Sequence, residues 1–428
     1  MLNRRTFIQN TMISSIGLSL VNSDHLMANQ VNTDSASLCP EGTGVQVNDE
    51  QYWTKIRALF NVPTQFINLE NGYFSPQPKS TMAMHQKRED YINTQTSMFM
   101  RKEQATSIEA SRISLAHFLD CPSVELAFTR NTTESMNILI AGYDWKVGDE
   151  VIIGNQDYGS MVDAFHQAAK RYGIVIKVAE IPLHPESEDD LVRAYTSLFS
   201  SQTRLVHLTH LINLTGQVIP VAQIADKAHL AGVEVSVDAA HSVAHLQFTI
   251  PELKADYVSA SLHKWLCNPL GAGFLWMKQE HISRIFPLTA DGEYPVNDIR
   301  KFEHQGTRPI HTLETIHESI RFHQKIGSKL KQDRLRFLMR YWVTKVVDLP
   351  RIKINSPYLH DYSCSAIANV AIEGYTPAKL SDRLFAEYGI FTVAIDHPAV
   401  QGVRVTPHLY TSLEELDKLV LALKQMAQ

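Results

Sequence analysis

The stretch Ser259-Ala-Ser-Leu-His-Lys264-Trp265 decides how the rest of the chain is interpreted. It completes a short apolar run, Tyr257 to His263, of the kind that forms a buried strand, and it ends in a lysine between a histidine and a tryptophan. A lysine at the end of an apolar strand is rarely an ordinary surface side chain. An apolar environment lowers the basicity of its amine, and an amine of lowered basicity is suited to forming a Schiff base with a carbonyl compound.

Similar apolar, β-branched runs lie on both sides of this stretch, and amphipathic segments separate most of them. The other runs are Val124–Arg130, Glu150–Asn155, Val175–Ile181, Thr203–Leu211, Glu234–Ala240 and Ala272–Met277, and the amphipathic segments are Thr132–Gly142, Ser160–Tyr172, Asp189–Ser200 and Val221–Ala231. This alternation predicts an α/β fold, in which helices cover both faces of a seven-stranded, mostly parallel sheet. Ligands of such sheets bind at the carboxyl ends of the strands.

After Pro287 the pattern changes, and we predict a smaller α+β domain over residues 289–428. A polar loop, 289–308, leads into a long helical pattern from Thr312 to Asp348, which short strands and helices follow. The large domain is predicted over 76–288, a segment that packs with the small domain over 51–75, and a flexible lead-in rich in Asn, Ser and Thr over 29–50.

The composition excludes several classes of protein. The 428 residues carry 40 Lys+Arg and 45 Asp+Glu, a net charge of −5, and no block of five or six like charges, so we expect no nucleic-acid binding. The four cysteines lie far apart, and the 19 histidines show no metal-ligand spacing, so we expect neither a disulfide framework nor a metal site.

The N-terminus resembles an export signal. Arg4-Arg5-Thr-Phe-Ile8 precedes a short apolar stretch, Met12 to Val21, which is too short to span a bilayer as a helix. The paired arginines favour a twin-arginine signal peptide over residues 1–28, cut after Ser23 or Ala28, although a basic amphipathic helix is an alternative. A signal of this type predicts recognition by the twin-arginine export machinery, a periplasmic mature protein and no stable membrane association.

Three further segments carry chemically useful groups at predicted strand ends. Thr129 to Asn137 opens a helix with hydroxyls and free backbone N–H groups, which suits a phosphate or, equally, an ordinary capping box. Asp238 and His241 follow another strand, where the aspartate is either a buried carboxylate with a partner or an ordinary strand-end residue. Arg404 lies on a strand of the small domain and offers a planar fork to a carboxylate.

A phosphate cradle, a carboxylate, a Schiff-base lysine and an arginine are together the parts that hold pyridoxal phosphate and an amino-acid substrate. The chain resembles the class V aminotransferase family, of fold type I, and within it the isopenicillin N epimerase-like branch. The segments that carry the resemblance are His263-Lys-Trp-Leu-Cys-Asn-Pro-Leu-Gly-Ala-Gly-Phe274, Gly306-Thr-Arg308 and Arg404-Val-Thr-Pro-His-Leu-Tyr410.

The resemblance implies a role for each matching residue. Lys264 would bind the cofactor covalently and move protons at the substrate Cα, with Asp238 paired to the pyridinium nitrogen. Tyr158 would stack on the ring and is a candidate second proton donor. The remaining cofactor contacts would come from Thr132, Thr133, Asn213, His241, Ser261 and His263.

Three positions extend the implied site to substrate and to a second subunit. Thr307 matches a residue that completes the phosphate site of the other protomer, so the resemblance implies a homodimer with shared active sites. Arg404 would bind the substrate carboxylate, Asn71 would belong to a gate over the site or to a simple turn, and Arg308 would reach substrate or form a structural ion pair.

The reaction stays open between several outcomes. Cysteine desulfurases of this family carry a nucleophilic cysteine shortly before the substrate arginine, and Ala394 to Ala399 contains none. We therefore expect transamination or epimerisation of an amino-acid or peptide-derived substrate, in the tailoring of an exported metabolite such as a siderophore. A C–S or β-elimination lyase and a non-catalytic periplasmic binding protein are the alternatives.

Overall fold

The computed structural model describes residues 39–428. The predicted signal peptide, 1–28, and the first part of the predicted lead-in lie outside the described residues. Within 39–428 no helix is both long enough and apolar enough to cross a membrane.

Strands and helices are numbered here in chain order. The strands are β1 (Ile67–Asn68), β2 (Leu126–Thr129), β3 (Glu150–Gly154), β4 (Val175–Ala179), β5 (Thr203–Thr209), β6 (Glu234–Asp238), β7 (Tyr257–Ser261), β8 (Gly273–Met277), β9 (Ile352–Ile354), β10 (Ala368–Ile372), β11 (Ile390–Phe391), β12 (Val393–His397) and β13 (Val400–Val405). The α-helices are α1 (Glu50–Arg57), α2 (Lys79–Lys102), α3 (Gln104–Leu119), α4 (Thr132–Gly142), α5 (Gly159–Tyr172), α6 (Glu188–Thr196), α7 (Val221–Leu230), α8 (Ile250–Leu253), α9 (Gln279–Ile282), α10 (Ile310–Glu314), α11 (Ile316–Ile326), α12 (Ser328–Val343), α13 (Pro377–Tyr388) and α14 (Leu413–Met426).

A seven-stranded sheet in the order β2-β8-β7-β6-β5-β3-β4 forms the centre of the large domain. Strand β8 runs antiparallel to both of its neighbours, and the other strand pairs are parallel. Helices cover both faces, because each strand buries alternate residues on opposite sides: Ile152 packs in one apolar core, and Val151 and Ile153 pack in the other. The predicted fold class is confirmed, and each of the seven predicted runs contains one strand.

The small domain is built on the antiparallel sheet β12-β13-β10-β9, which α12, α13 and α14 cover. The N-terminal segment joins this domain: β1 pairs with β11, and Glu70 bridges to Thr406 beyond the end of β13. Leu69 is buried in the small-domain core.

The long helical pattern predicted from Thr312 to Asp348 differs from the structure. It is divided among α10, α11 and α12, and Gly327, at φ 91°, separates the last two. Residues of α10 and α11 such as Leu313 and Ile320 are buried in a core of the large sheet. The boundary predicted at residue 289 therefore lies too early, because the amphipathic pattern gave no sign of which domain the helices pack against.

The end of the predicted flexible lead-in is packed in the structure. Cys39 is buried, and the backbone N–H of Gly42 donates to the carbonyl of Lys325 on α11 over 2.9 Å. A Cβ on Gly42 would lie 2.0 Å from the carbonyl oxygen of Ile326, so the close approach requires glycine.

A glycine also sets the contact between the two domains beside the strand ends. Gly216 has φ 74°, and a Cβ there would lie 2.0 Å from the carbonyl oxygen of Ile367 in the small domain. Gly232 has nearly the same φ, 73°, but open space around its Cα. Substitutions at Gly216 and Gly232 therefore distinguish the free-energy cost of a left-handed backbone from that of a steric clash.

We expect Gly216→Ala to lower the free energy of unfolding by at least about 3 kcal/mol, and Gly232→Ala by about 1 kcal/mol, because only the first adds a backbone clash to the left-handed strain. Urea denaturation of both variants measures the difference. Equal losses for the two variants would contradict the close domain contact at Gly216.

Candidate active site

The centre of the site is Lys264, three residues beyond the end of β7. Its side chain lies between the two domains, and burial lowers the pKa of its amine to about 8. The charge of Arg404 lowers this pKa as well, while Asp238 and Glu70 oppose the shift. About a tenth of the amine is therefore neutral at pH 7, and the neutral amine is the form that attacks a carbonyl carbon.

Asp238 ends β6, the strand next to β7, and pairs in register with Ser259. Its side chain is buried, and one carboxylate oxygen accepts a hydrogen bond of 2.8 Å from the backbone N–H of Ala240. Burial raises the pKa of Asp238, and the charge of Lys264 opposes that rise. Within residues 39–428 this carboxylate forms no ion pair at contact distance, so it can take a cationic partner at the sheet end.

His241 connects the lysine to Trp265 through a directed chain of hydrogen bonds. The indole N–H of Trp265 lies 3.3 Å from His241 Nδ1, and His241 Nε2 lies 3.0 Å from Lys264 Nζ. Burial, reinforced by Lys264, lowers the pKa of His241 well below its usual range, so the ring is neutral. Because an indole only donates, Nδ1 is the acceptor, and the proton resides on Nε2 and points to the lysine amine.

The start of α4 forms a pocket of donors beside β7. The backbone N–H and the hydroxyl of Thr132 both lie 2.9 Å from Ser261 Oγ. The helix cap is supplied by Asn131, whose side chain accepts from the N–H of Glu134, and not by a threonine. The capping and anion-binding interpretations of this segment are therefore compatible, because Asn131 caps the helix while Thr132 and Thr133 occupy its first turn.

Two buried polar atoms near the lysine have no partner among the described residues. They are Asn213 Oδ1, on the loop after β5, and His263 Nδ1. Buried polar atoms without partners are costly in a folded protein, so both atoms can accept a hydrogen-bond partner such as a ligand or a water molecule.

Tyr158 lies across the cleft from the lysine. Its ring centroid is 5.9 Å from Lys264 Nζ, and the side chain remains 43% exposed. The preceding residue, Asp157, is buried and accepts hydrogen bonds of 2.7 Å from Thr209 Oγ1 and from the N–H of Gly154. Asp157 thereby fixes the turn that presents Tyr158, and burial raises its pKa to about 7 against the effect of these hydrogen bonds.

Arg404 approaches the site from β13. Its guanidinium pairs with Glu70 at 2.6 Å and donates to the backbone carbonyl of Asn213 over 3.1 Å, so it reaches from the small domain to the large one. Sequence reasoning found Arg404 but missed Glu70 and Asp157. The only sequence signal was their position beside Asn71 and Tyr158, which had been singled out.

Asn71 does not face the lysine as a free group. Its side-chain N–H donates to the carbonyl of Thr406 over 2.7 Å, and its side-chain oxygen accepts from the hydroxyl of Tyr410 over 2.6 Å. One N–H and the oxygen of the amide are used inside the protein, so Asn71 anchors the segment over the site.

The two remaining predicted residues are not joined to this cluster. Arg308 forms an ion pair with Glu303 at 3.1 Å and donates weakly to the carbonyl of Phe128, which agrees with the structural alternative. Thr307 is exposed, and no hydrogen bond connects it to the residues around Lys264 in the described chain.

The groups present fit pyridoxal phosphate. The carboxylate of Asp238 suits a protonated ring nitrogen, the first turn of α4 with Ser261 suits a phosphate, and the unpartnered atoms of Asn213 and His263 offer further polar contacts. Within residues 39–428 the histidines, cysteines and carboxylates form no group of three that could hold a metal ion.

Comparisons with known proteins show the family to which the chain belongs. The family model "Aminotransferase class-V" matches residues 74–419. Isopenicillin N epimerase of Streptomyces clavuligerus is 23% identical over 387 residues, which cover 87% of this chain and 97% of that protein. A probable cysteine desulfurase of Synechocystis is 32% identical over 404 residues, 86% of this chain and 94% of that protein.

A solved structure shows the same fold. A mutant of C-DES with glycine covalently linked to its PLP cofactor superposes with a TM-score of 0.76 at 20% identity, over 86% of this chain and 98% of that one. The extent of the family match, together with the lysine, the aspartate and the helix start at the same edge of the sheet, establishes the relationship. The chain belongs to the class V aminotransferase family and is a pyridoxal phosphate-dependent enzyme.

Proposed function

We propose that this enzyme catalyses transamination at the Cα of an amino-acid or amino-acid-derived substrate. Pyridoxal phosphate bound to the substrate amine withdraws electrons from Cα and makes its C–H bond acidic. The observation that carries the proposal is the pairing of one buried amine of lowered pKa, Lys264, with the carboxylate-binding fork of Arg404 across a single cleft.

Each residue of the cleft has a defined task in this proposal. Lys264 takes the proton from Cα and returns it elsewhere, which a pKa of about 8 allows in both directions. Asp238 would pair with a protonated ring nitrogen, and His241, whose Nε2 proton points to the free lysine amine, would offer that proton to the cofactor's oxygen side once the cofactor is bound. Tyr158 covers the ring, and Arg404 binds the substrate carboxylate.

The cysteines argue against a reaction that forms a persulfide on a cysteine of the enzyme. Cys267 lies three residues after Lys264, but its side chain is buried against His408, and burial raises the pKa of its thiol to about 11. Burial also raises the thiol pKa of Cys39, Cys121 and Cys364. Because a nucleophilic cysteine needs a lowered pKa and access, none of these thiols is suited to accept sulfur.

Epimerisation is the second candidate, and the exposed phenol of Tyr158 is the observation that favours it. Inversion at Cα needs a proton donor on the face opposite the lysine, and Tyr158 lies across the cleft from Lys264 Nζ. Transamination needs Lys264 as its only acid–base group, so it requires fewer catalytic side chains than epimerisation does.

We also propose that the enzyme works as a homodimer in the periplasm. The exposure of Thr307 supports a contact with the phosphate site of a second copy, and the paired arginines Arg4 and Arg5 support export of the folded protein. In that compartment the substrate would be an exported metabolite with a free amino-acid group, such as a maturing siderophore.

The test of the reaction is incubation of the holoenzyme in D₂O, without an amino acceptor, with D- and L-amino acids and with peptides that end in Glu or Asp. We expect about one equivalent of keto product per active site and loss of the visible cofactor band, because the amine stays on the enzyme. Mass spectrometry measures the keto product, and absorbance measures the loss of the cofactor band. The Lys264→Ala variant should show neither change.

Other products would replace the proposal by one of its alternatives. Recovered substrate that is deuterated and inverted, with an effect abolished in Tyr158→Phe, indicates an epimerase. Release of sulfide or of an unsaturated fragment indicates a lyase. A protein that binds the substrate without any chemistry indicates a binding function.

The lowered pKa of Lys264 predicts the pH dependence of cofactor attachment. Since only the neutral amine attacks, the rate at which apoenzyme takes up pyridoxal phosphate should rise with pH through a midpoint near pH 8 and level off above it, whereas for an ordinary lysine the midpoint would lie near 10.5. Stopped-flow absorbance measures the rate, and borohydride trapping confirms the covalent link. A link that persists in Lys264→Ala, or a midpoint near 10.5, is the contrary result.

The hydrogen bond of Trp265 predicts a shift of that midpoint. Trp265→Phe removes the donor that holds the proton of His241 on Nε2, so Lys264 loses a hydrogen bond that favours its neutral form. We expect the midpoint to move upward by about half a pH unit, equivalent to ~0.7 kcal/mol. Trp342→Phe is the matched control, because the buried indole N–H of Trp342 has no partner in the described chain, and its midpoint should stay in place.

A further inference from the structure

The guanidinium of Arg404 is already paired inside the protein. Its Nη2 lies 2.6 Å from Glu70 Oε1, and its Nε lies 3.3 Å from Glu70 Oε2. The side chain of Arg404 is 8% exposed and that of Glu70 is 7% exposed. An arginine proposed to bind the substrate carboxylate thus has a carboxylate of this chain along one of its edges.

Counting the N–H groups of Arg404 shows what is left for a ligand. A guanidinium has five N–H donors, and Glu70 takes the one on Nε and one on Nη2. The carbonyl of Asn213 takes one on Nη1. One N–H remains on each terminal nitrogen, which is the number that a carboxylate bound through both of its oxygens accepts.

The surroundings of Glu70 keep it in place. Its Oε1 also accepts from the backbone N–H of Tyr73 over 2.8 Å, and the segment is anchored by the hydrogen bonds of Asn71 to Thr406. If a substrate displaced Glu70 from Arg404, a nearly buried carboxylate would keep only one backbone donor. Leaving a buried charge unpaired is strongly unfavourable, so the geometry favours addition of substrate over exchange.

Gly72 closes a face of the same guanidinium. A Cβ at Gly72 would lie 2.8 Å from Arg404 Cζ and Nη2, closer than real Cβ atoms approach. The backbone of the gate segment therefore lies directly against the arginine and restricts its movement, while Glu70 fixes its rotation about the side-chain axis.

We propose that Glu70 is a positioning residue for substrate recognition: it holds the Nε and Nη2 edge of Arg404 so that the remaining N–H groups face a single substrate carboxylate. The inference rests on the proposed function, because it takes Arg404 as the carboxylate-binding group. It makes a distinct claim, namely that an acidic side chain strengthens the binding of an acidic ligand.

The test measures binding of a plain carboxylate to the holoenzyme, so it needs no knowledge of the natural substrate. The probe is 3,3,3-trifluoropropionate, and its ¹⁹F line width gives the dissociation constant. The variants are Glu70→Gln, Arg404→Ala and Glu50→Gln. Glu50 is the matched control, because it forms a comparable two-point ion pair with Arg334 outside the cleft.

We expect Glu70→Gln to weaken probe binding about tenfold, as for loss of a charge-assisted hydrogen bond, and Arg404→Ala to abolish it. Glu50→Gln should leave it unchanged. The visible cofactor band of Glu70→Gln should still be present, since Glu70 contacts the arginine and forms no hydrogen bond to the lysine. If Glu70→Gln does not fold, Glu70→Asp keeps the charge and should bind within about threefold of the parent.

The outcomes separate this inference from the proposed function. Tighter binding by Glu70→Gln would mean that Glu70 competes with substrate for Arg404, and unchanged binding would mean that it does not position the arginine; either overturns the inference alone. Probe binding that survives Arg404→Ala would overturn the assignment of Arg404 and the inference together.

Discussion

The parallel pairing of β6 with β7 is the constraint on which the site depends. It brings Asp238 and Lys264 to the same edge of the sheet, with Asp238 in register with Ser259. An acid and an amine are thereby desolvated side by side, which raises the pKa of the acid and lowers that of the amine. The cofactor chemistry follows from this pair, because it needs a carboxylate that can pair with a ring cation and an amine that can lose its proton.

Burying these groups lowers the free energy of unfolding, and packing elsewhere in the fold offsets that loss. The site contains a poorly paired carboxylate, a partly neutral lysine and two polar atoms without partners. Apolar cores on both faces of the large sheet, and a third core in the small domain, hold the strand ends in place despite these unfavourable groups. Binding of the cofactor satisfies the unfavourable groups, so it stabilises the folded enzyme as well as enabling the chemistry.

Much of the fold followed from the sequence because its signals are local. The β-branched runs of a parallel sheet buried on both faces are nearly continuous in apolar residues, and the lysine segment lies at the end of one of them. The domain boundary failed for the converse reason: α10 and α11 have the amphipathic pattern of small-domain helices, and only tertiary packing assigns them to the large sheet. The sequence left a capping box and an anion site open for Thr129 to Asn137, because the contact of Thr132 with Ser261 spans 129 positions and no local pattern reveals it.

The residues missed in the site share this non-local origin. Glu70 is 334 positions from Arg404, and the indole of Trp265 acts through a histidine on another strand end. Arg404 itself belongs to the small domain and donates to the carbonyl of Asn213 in the large domain, while Gly72 and Asn71 close over it from the N-terminal segment. In the proposed function a substrate carboxylate on Arg404 would bind where three separate parts of the chain meet, so its recognition would depend on how the small domain packs against the large one.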